Sequence, residues 1–287
     1  YRTRGQRSAV RAALGTPPGA TLLLCLPTGD GKSFVFQLVA TIGFGADDGL
    51  PGVTLVVTPT VALALDHQRS AREMGISNHQ SAYVGGMPDQ AKKEMKDRIR
   101  NGTQGLCFAA PEAACGPLRT ALLDAAEAGF LRAVVVDEAH LVDAWGANFR
   151  ASFQLLSGLR AEFLNVAQES SRPRTFLLSA TLTAGTVETL KTLFPGDRDD
   201  GSHFQRVIAA QLRPEIEYWV AQPTGDEERS RRVTDALFHM PRPAIIYVTE
   251  VAHAQRWYRS LRKDGFRRLG LMTGKSSAEE RSQVIDG

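Results

Sequence analysis

The sequence predicts an α/β protein with two lobes built on parallel sheets, the second of which is incomplete. From Thr21 onward, short runs rich in apolar and β-branched residues alternate with segments of helical period, which is the order of parallel strands joined by crossover helices. A chain of 287 residues is longer than a single hydrophobic core usually accommodates. The apolar periodicity lapses in a turn-rich stretch at 194–201, which indicates a boundary between two units.

The first lobe contains six runs with the composition of strands, at 21–26, 53–58, 81–84, 105–109, 133–137 and 175–179. Apolar residues recur with helical spacing in four segments, at 32–42, 61–74, 90–100 and 149–166. Because strands and helices alternate, we expect one parallel sheet with helices on its faces.

The turn-rich stretch is the predicted linker, which places the first lobe at 1–198 and the second at 199–287. Strands are predicted after it at 216–220, 244–248 and 269–272, with helices near 233–239 and 252–263. These elements are too few for a full sheet. We therefore expect apolar residues such as Ile245 and Tyr247 to be poorly covered.

The composition argues against several classes of protein. Hydrophobic residues make up 43% and charged residues 23% of the chain, as in an ordinary folded globular protein. The formal net charge is only +3, so any surface for a polyanion must be local. The three cysteines form no C-x-x-C pair, which argues against a zinc ribbon and fits a reducing cytoplasm. The longest apolar runs are far shorter than the roughly 20 residues that cross a bilayer.

A glycine-bearing loop between the first strand and a helix is the first candidate site. It contains Thr28, Gly29, Asp30, Gly31, Lys32 and Ser33. The glycines let backbone N–H groups turn inward, the lysine can reach the β- and γ-phosphates of a nucleotide, and the serine hydroxyl can ligate Mg²⁺. The general P-loop pattern has another glycine where this chain has Leu26, so only the shorter T-G-x-G-K-S form is present. A glycine turn can precede a helix without any ligand, but the Gly-Lys-Ser ending favours phosphate binding.

A second candidate site follows the apolar run at 133–136, which delivers Asp137, Glu138 and His140 to the carboxyl end of a strand. Parallel α/β sheets bind their ligands at that edge. We expect Asp137 to hold Mg²⁺ through water and Glu138 to deprotonate the water that attacks the γ-phosphate. A solvated acidic strand end is the alternative, and the presence of the Lys32 loop argues against it.

The glycine loop, the D-E-A-H sequence at 137–140 and the L-S-A-T sequence at 178–181 resemble motifs I, II and III of superfamily 2 helicases. The resemblance implies tandem RecA-like P-loop NTPase lobes that use ATP and Mg²⁺. It also implies a catalytic role for His140 and coupling roles for Ser179 and Thr181.

Residues 137–160 resemble more narrowly the RecQ-like helicases, in which an aromatic-rich loop follows the DEAH box. Trp145, Phe149 and Arg150 carry this likeness, whereas Ala151 and Ser152 replace the usual Pro-Glu. Residues 2–6 are similar to RecQ motif 0 with one residue inserted. This similarity implies that the Gln6 amide recognises adenine, whose N6 and N7 it can match.

The likeness covers nearly the whole chain. Residues 58–66 resemble motif Ia, 109–112 the segment before the DEAH strand, 212–216 the entry to the second lobe and 245–248 motif IV. The residue sequences of several motifs are most similar to those of RecQ-like helicases encoded in bacterial 7-deazaguanine DNA-modification islands. That similarity implies a role in DNA modification or phage defence, with protein partners from such a system.

The resemblance further implies that single-stranded or tailed duplex DNA lies across both lobes, with 3′ to 5′ polarity. The candidate contacts are Thr58, Thr60, Gly85, Gly86, Trp145 and Arg150. Small residues at strand ends would grip the phosphates, and the tryptophan would stack on a base. Trp145, Phe149 and Phe153 also recur at i, i+4 and i+8, so core packing is the alternative for them, and we expect it of Phe153.

Two rival functions stay open, an RNA-remodelling ATPase of the same superfamily and a non-catalytic, ATP-gated DNA-binding scaffold. The aromatic loop argues against the first, and the intact Lys32, Asp137 and Glu138 argue against the second. Motifs V and VI have no counterpart within 1–287. We therefore expect this segment to bind ATP with Mg²⁺ but to hydrolyse it slowly, because motif VI supplies an arginine finger. The histidines outside the DEAH box show no metal-ligand spacing, so no role is predicted for them.

Overall fold

The computed structural model describes residues 1, 3–43, 50–77, 79–144, 147–198, 201–209, 217–222, 224–273, 276 and 284, without the side chains of 143, 144 and 147–150. The chain divides into two compact units, 1–216 and 217–287.

A six-stranded parallel sheet forms the centre of the first unit. Its strands are β1 (Thr21–Cys25), β2 (Val53–Val57), β3 (Gly105–Ala109), β4 (Leu131–Val136), β5 (Arg174–Ser179) and β6 (Phe204–Ile208). They lie in the order β3-β2-β4-β5-β1-β6, and every neighbouring pair is parallel. β1 and β2 are buried along their whole length, because both faces of the sheet are covered, and this explains their unbroken apolar sequences.

Helices cover both faces of this sheet. They are α1 (Arg4–Leu14), α2 (Lys32–Ile42), α3 (Val61–Glu73), α4 (Asp89–Arg100), α5 (Pro111–Cys115), α6 (Arg119–Glu127), α7 (Leu141–Ala144), α8 (Ala147–Val166) and α9 (Ala184–Leu193). Leu22 and Leu24 pack with α1, α2 and α3 in one core cluster, whereas Leu23 packs with α4, α6, α8 and α9 in the other. Alternate residues of a strand point to opposite faces, so one strand supplies both cores. Phe153 is buried in the second core, which confirms its predicted packing role.

The structure differs from the sequence prediction at the segment 81–84. Only an isolated bridge forms there, between Ala82 and Phe108, instead of a strand. The N–H groups of Ser81 and Ala82 both donate to the side-chain oxygen of Gln68. A helix side chain thus takes the place of a neighbouring strand, and the ladder does not continue.

The boundary between the units also differs from the predicted one, which lay after residue 198. The chain continues as β6, which pairs with β1 from Thr21↔Phe204 to Cys25↔Ile208, and the units divide after Ile216. The turn-rich stretch therefore lies within the first unit. Its position before an edge strand explains why the apolar periodicity resumed so soon after it.

The described part of the second unit contains the helices α10 (Asp226–His239) and α11 (Val251–Lys263). The predicted strand at 244–248 is not formed, and the described residues at 217–220 and 269–272 are not in strands either. Ile245 is 74% and Tyr247 is 87% exposed, which confirms the expected poor cover of these residues. Within the described parts of both units, every helix is too short or too polar to cross a membrane.

Candidate functional site at the carboxyl edge of the sheet

The glycine loop joins β1 directly to α2. Gly29 has φ +89° and Gly31 has φ +77°, a left-handed conformation that L-residues rarely adopt, and Gly31 caps the helix that begins at Lys32. Leu26, which replaces a glycine of the general P-loop pattern, is fully buried, and its N–H donates to the Ser179 carbonyl at 3.1 Å. The departure from the pattern therefore serves the core, while Gly29 and Gly31 in the loop after it keep positive φ angles.

The residues of this loop differ in their exposure. Thr28 and Gly29 are exposed, and Ser33 is half-buried at the start of α2. The Lys32 ammonium donates to the Leu26 carbonyl at 3.2 Å, so it is held over the loop instead of extending into solvent. Burial raises the pKa of the Cys25 thiol even though Lys32 opposes the shift.

Helix α1 is tied to the same loop. The Thr3 hydroxyl accepts the N–H of Gln6 at 3.0 Å, as a helix cap, and donates to Asp30 at 3.1 Å. Gln6 is only 4% exposed, and a Cβ at Gly31 would overlap its Nε2 atom. The amide predicted to recognise adenine therefore lies against the predicted phosphate loop, although its role stays a prediction.

The acidic pair lies at the end of β4. Asp137 is buried, and its two carboxylate oxygens contact the N–H of Glu138 at 3.0 Å and the Nε2 atom of His67 at 3.1 Å. An ionised carboxylate only accepts hydrogen bonds, so the imidazole Nε2–H is the donor. Glu138 has φ +51°, the one positive value outside glycine in the described chain. Such backbone strain is concentrated at functional sites.

Motifs II and III are joined by a chain of hydrogen bonds. His140 Nδ1 lies 3.2 Å from the Glu138 carboxylate and 3.1 Å from the Ser179 hydroxyl. The Ser179 hydroxyl donates to the Thr181 carbonyl at 2.6 Å, and its oxygen accepts the Thr181 N–H at 3.2 Å. A change at Glu138 can therefore reach Thr181 through two side chains.

The sheet order brings the three motifs to one edge. β4, β5 and β1 are neighbours and run parallel, so their carboxyl ends carry the acidic pair, Ser179 and the glycine loop side by side. Mg²⁺ usually takes one or two protein carboxylates together with substrate phosphates and waters. Ser33 and Asp137 offer a hydroxyl and a carboxylate of this kind. No group of three or more His, Cys, Asp or Glu residues suited to a metal occurs among the described residues.

The predicted nucleic-acid contacts are placed very differently from one another. Thr58 is fully buried and its hydroxyl donates to the Thr60 carbonyl at 3.3 Å, so the prediction that Thr58 contacts nucleic acid is corrected: it shapes the turn before α3. Thr60 is exposed, and its hydroxyl caps α3 by accepting the Leu63 N–H. Gly85 and Gly86 are exposed with open space around them. Trp145 and the side chain of Arg150 lie outside the described residues.

His67 and Gln68 belong to this region, and the sequence prediction missed them. His67 shows no metal-ligand spacing in the sequence, yet its Nε2 atom contacts Asp137. The available signal was the helical period of α3, whose buried residues are Ala64, His67, Gln68 and Ala71. Two large polar side chains on the buried face of a helix must find partners, because an unpaired buried polar group is costly.

Comparison with known protein families gives the family of this chain. Residues 3–190 match the family described as DEAD/DEAH box helicase. The chain is 36% identical over 154 residues to the RecQ-like DNA helicase blm-1 of Caenorhabditis elegans, which covers 53% of this chain and 15% of that protein. It is 24% identical over 279 residues to the ATP-dependent DNA helicase RecQ of Haemophilus influenzae, which covers 96% of this chain and 40% of that protein. The chain thus spans well under half the length of these relatives.

Among solved structures, the crystal structure of the DUF1998 helicase MrfA is similar over 98% of this chain and 41% of that one. The TM-score is 0.68 and the sequence identity 18%. A likeness at this identity concerns the fold, and it agrees with the α/β architecture of helicase lobes.

Proposed function

This chain belongs to the DEAD/DEAH box helicase family, and on that premise we propose that it is the motor core of a RecQ-like, ATP-dependent DNA helicase or translocase. One observation carries the proposal. The Lys32 loop, the Asp137–Glu138 pair and Ser179 meet at the carboxyl ends of three neighbouring parallel strands. ATP with Mg²⁺ is the usual cofactor pair of the family, and the residues at this edge fit it.

Each residue has a distinct part in the proposed hydrolysis. The loop N–H groups and Lys32 bind the β- and γ-phosphates, and Gln6 recognises the base. Ser33 and Asp137 would hold Mg²⁺, which supplies charge neutralisation on the phosphate oxygens when bound. Glu138 takes a proton from the water whose oxygen attacks the γ-phosphorus, while the bond to the bridging oxygen of ADP breaks.

ATP hydrolysis would be coupled to the nucleic-acid contacts through the His140–Ser179–Thr181 chain of hydrogen bonds. The exposed Gly85–Gly86 turn and the start of α3 at Thr60 are the candidate contacts on the first unit, together with Trp145 and Arg150. The nucleic acid would be DNA, single-stranded or with a single-stranded tail, since the relatives named above are DNA helicases. A 3′ to 5′ polarity, a cytoplasmic location and a role beside the proteins of a DNA-modification or phage-defence system complete the proposal.

The test compares ATP hydrolysis by the full-length protein alone, with single-stranded DNA and with RNA of matching sequence. We expect stimulation at least about tenfold greater by DNA, and a loss of about a hundredfold or more in Lys32→Ala, because a charge-assisted contact with phosphate contributes about 3 kcal/mol. Duplexes with a 3′ or a 5′ tail would then give the polarity.

Each rival function predicts a different result in the same assay. Equal or greater stimulation by RNA would favour an RNA-remodelling ATPase. ATP-dependent DNA binding without turnover would favour the scaffold. Near-normal turnover in Lys32→Ala would contradict the assignment of the phosphate loop itself.

A further inference from the structure

Helix α3 touches both the proposed nucleotide site and the proposed nucleic-acid surface through two adjacent side chains. His67 and Gln68 are each only 8% exposed, and they point to different partners. His67 donates to Asp137 at 3.1 Å, and Gln68 accepts the N–H groups of Ser81 and Ala82 at 2.8 and 2.9 Å. A rotation or shift of the helix would therefore disturb both contacts together.

The contact between His67 and Asp137 is more than packing. The imidazole ring lies 5.3 Å from the Phe36 ring, edge to face, and 5.6 Å from the Phe108 ring, nearly parallel to it. A phenylalanine or leucine would satisfy such an apolar slot without the cost of burying a polar ring. The N–H of His67 instead fixes one oxygen of Asp137 while the N–H of Glu138 fixes the other, so the orientation of the carboxylate is determined.

The contact made by Gln68 replaces a strand. The Ser81 carbonyl accepts the Phe108 N–H of β3 at 2.7 Å in the short bridge, and the Gln68 amide oxygen accepts the N–H groups of Ser81 and Ala82. Tyr83 then donates to the Phe108 carbonyl at 2.8 Å, and the chain turns at the exposed Gly85–Gly86 pair. The position of that turn therefore depends on α3.

We propose that α3 couples the two sites, with His67 as the positioning residue for Asp137 and Gln68 as the positioning residue for the Gly85–Gly86 turn. The inference rests on the proposed function, since it takes Asp137 as a Mg²⁺ ligand and the turn as a contact with the DNA backbone. Nucleic acid that displaces the turn moves α3 and changes the orientation of Asp137. Binding of DNA therefore changes the affinity for nucleotide with Mg²⁺. Because such coupling is reciprocal, binding of nucleotide with Mg²⁺ changes the affinity for DNA by the same factor.

The experiment measures three quantities in the full-length protein: the Mg²⁺ concentration for half-maximal binding of a non-hydrolysable ATP analogue, the Kd for single-stranded DNA, and the ratio of that Kd without and with the analogue. His67→Phe keeps the aromatic packing and loses the N–H donor. We expect it to raise the Mg²⁺ requirement about tenfold or more, the effect of losing a group that orients a metal ligand. Its Kd for DNA without nucleotide stays unchanged, and the ratio falls towards one.

Gln68 provides the complementary variants. Gln68→Met keeps the length of the side chain and removes the acceptor, so the Kd for DNA rises and the ratio falls, while the Mg²⁺ requirement without DNA stays at the wild-type value. Gln68→Glu keeps an oxygen that accepts both N–H groups and should restore the ratio. Phe108→Leu is the matched packing control, because it removes the stacked ring and leaves the bond between His67 and Asp137 in place.

The outcomes separate this inference from the proposed function. If wild-type protein binds neither the analogue nor DNA, the proposed function fails. If wild type shows coupling and His67→Phe behaves like Phe108→Leu, with a lower Tm and an unchanged Mg²⁺ requirement, His67 only packs and the inference is wrong. A shifted Mg²⁺ requirement with an intact ratio would also overturn it, since α3 would then orient Asp137 without coupling it to DNA.

Discussion

The two ends of the strands β1 and β5 are both lined with polar groups, but they use these groups in opposite ways. At the amino end, the buried Arg160 guanidinium donates to Thr175 at 2.8 Å, to Thr21 at 3.1 Å and to the Gly19 carbonyl at 3.2 Å. These groups bond to one another. At the carboxyl end, the glycine loop is exposed or half-buried.

The difference places stability at one end of the sheet and the proposed function at the other. Burial lowers the pKa of Arg160 to about 10, still well above neutral pH, so the guanidinium stays charged and keeps its donors. A satisfied buried network of this kind fixes the packing of α8 against the sheet. The carboxyl end instead keeps strained or open groups, such as Glu138 with φ +51°, and the rest of the fold holds them in place.

A second cluster at the amino end repeats the same principle. Asp197 bonds to Arg172 at 3.0 Å and to His203, beside Gly19. Burial alone would raise the pKa of Asp197, but the hydrogen bonds from His203 and Arg172 outweigh it and hold the pKa below its ordinary value. The cluster fastens the segment before β6 to the body of the first unit.

The substitution Glu138→Gln should give the largest effect in a test of the contrast between the two ends of the sheet. The amide keeps the shape of the side chain but cannot take a proton, so ATP hydrolysis should fall about 10²- to 10⁴-fold. ATP binding and Tm should stay near wild type, because the carboxyl end contributes chemistry more than stability. Phosphate release and the Kd for ATP measure the two effects. A loss of ATP affinity as severe as that of Lys32→Ala would contradict the separate roles of these residues.

Arg160→Met should give the opposite result. It leaves Thr175, Thr21 and the Gly19 carbonyl without their buried donor, so we expect about 3 kcal/mol less free energy of unfolding. The Kd for ATP of the folded protein should not change. Urea unfolding beside Arg198→Met, which removes an exposed arginine, supplies the control. Equal stability of the two variants would remove the contrast between the ends of the sheet.

Asp197→Asn should have the smallest effect, about 1 kcal/mol at neutral pH, the scale of a partly exposed ion pair. Because the folded-state pKa of Asp197 is lowered, its contribution is present above the unfolded-state pKa and is lost as pH falls through the folded value. The wild type should therefore lose more stability than Asp197→Asn on acidification below about pH 4. Parallel pH profiles of Tm for the two proteins would show that the cluster contributes no pH-dependent stability.

The sequence by itself determined the elements of the first unit that carry the proposed motor site. The predicted helix at 32–42 and strand at 105–109 have the observed bounds, and the other predicted helices of that unit end within two residues of the observed ones. The local spacing of apolar residues and the turn-forming residues between them encode such elements directly. The motifs met at one edge because parallel strands must end on the same side.

Tertiary structure decided which side chains meet. The burial of Thr58, the pairing of β6 with β1 and the contacts of His67 and Gln68 each depend on a partner far away in the sequence. The second unit shows the same limit of prediction from sequence. The apolar run at 244–248 has the composition of a strand, but it does not form one. The periodicity of apolar residues along the sequence specifies which face of an element each residue occupies. A hydrogen bond or a strand pairing also requires tertiary packing, which brings the partner group to that face.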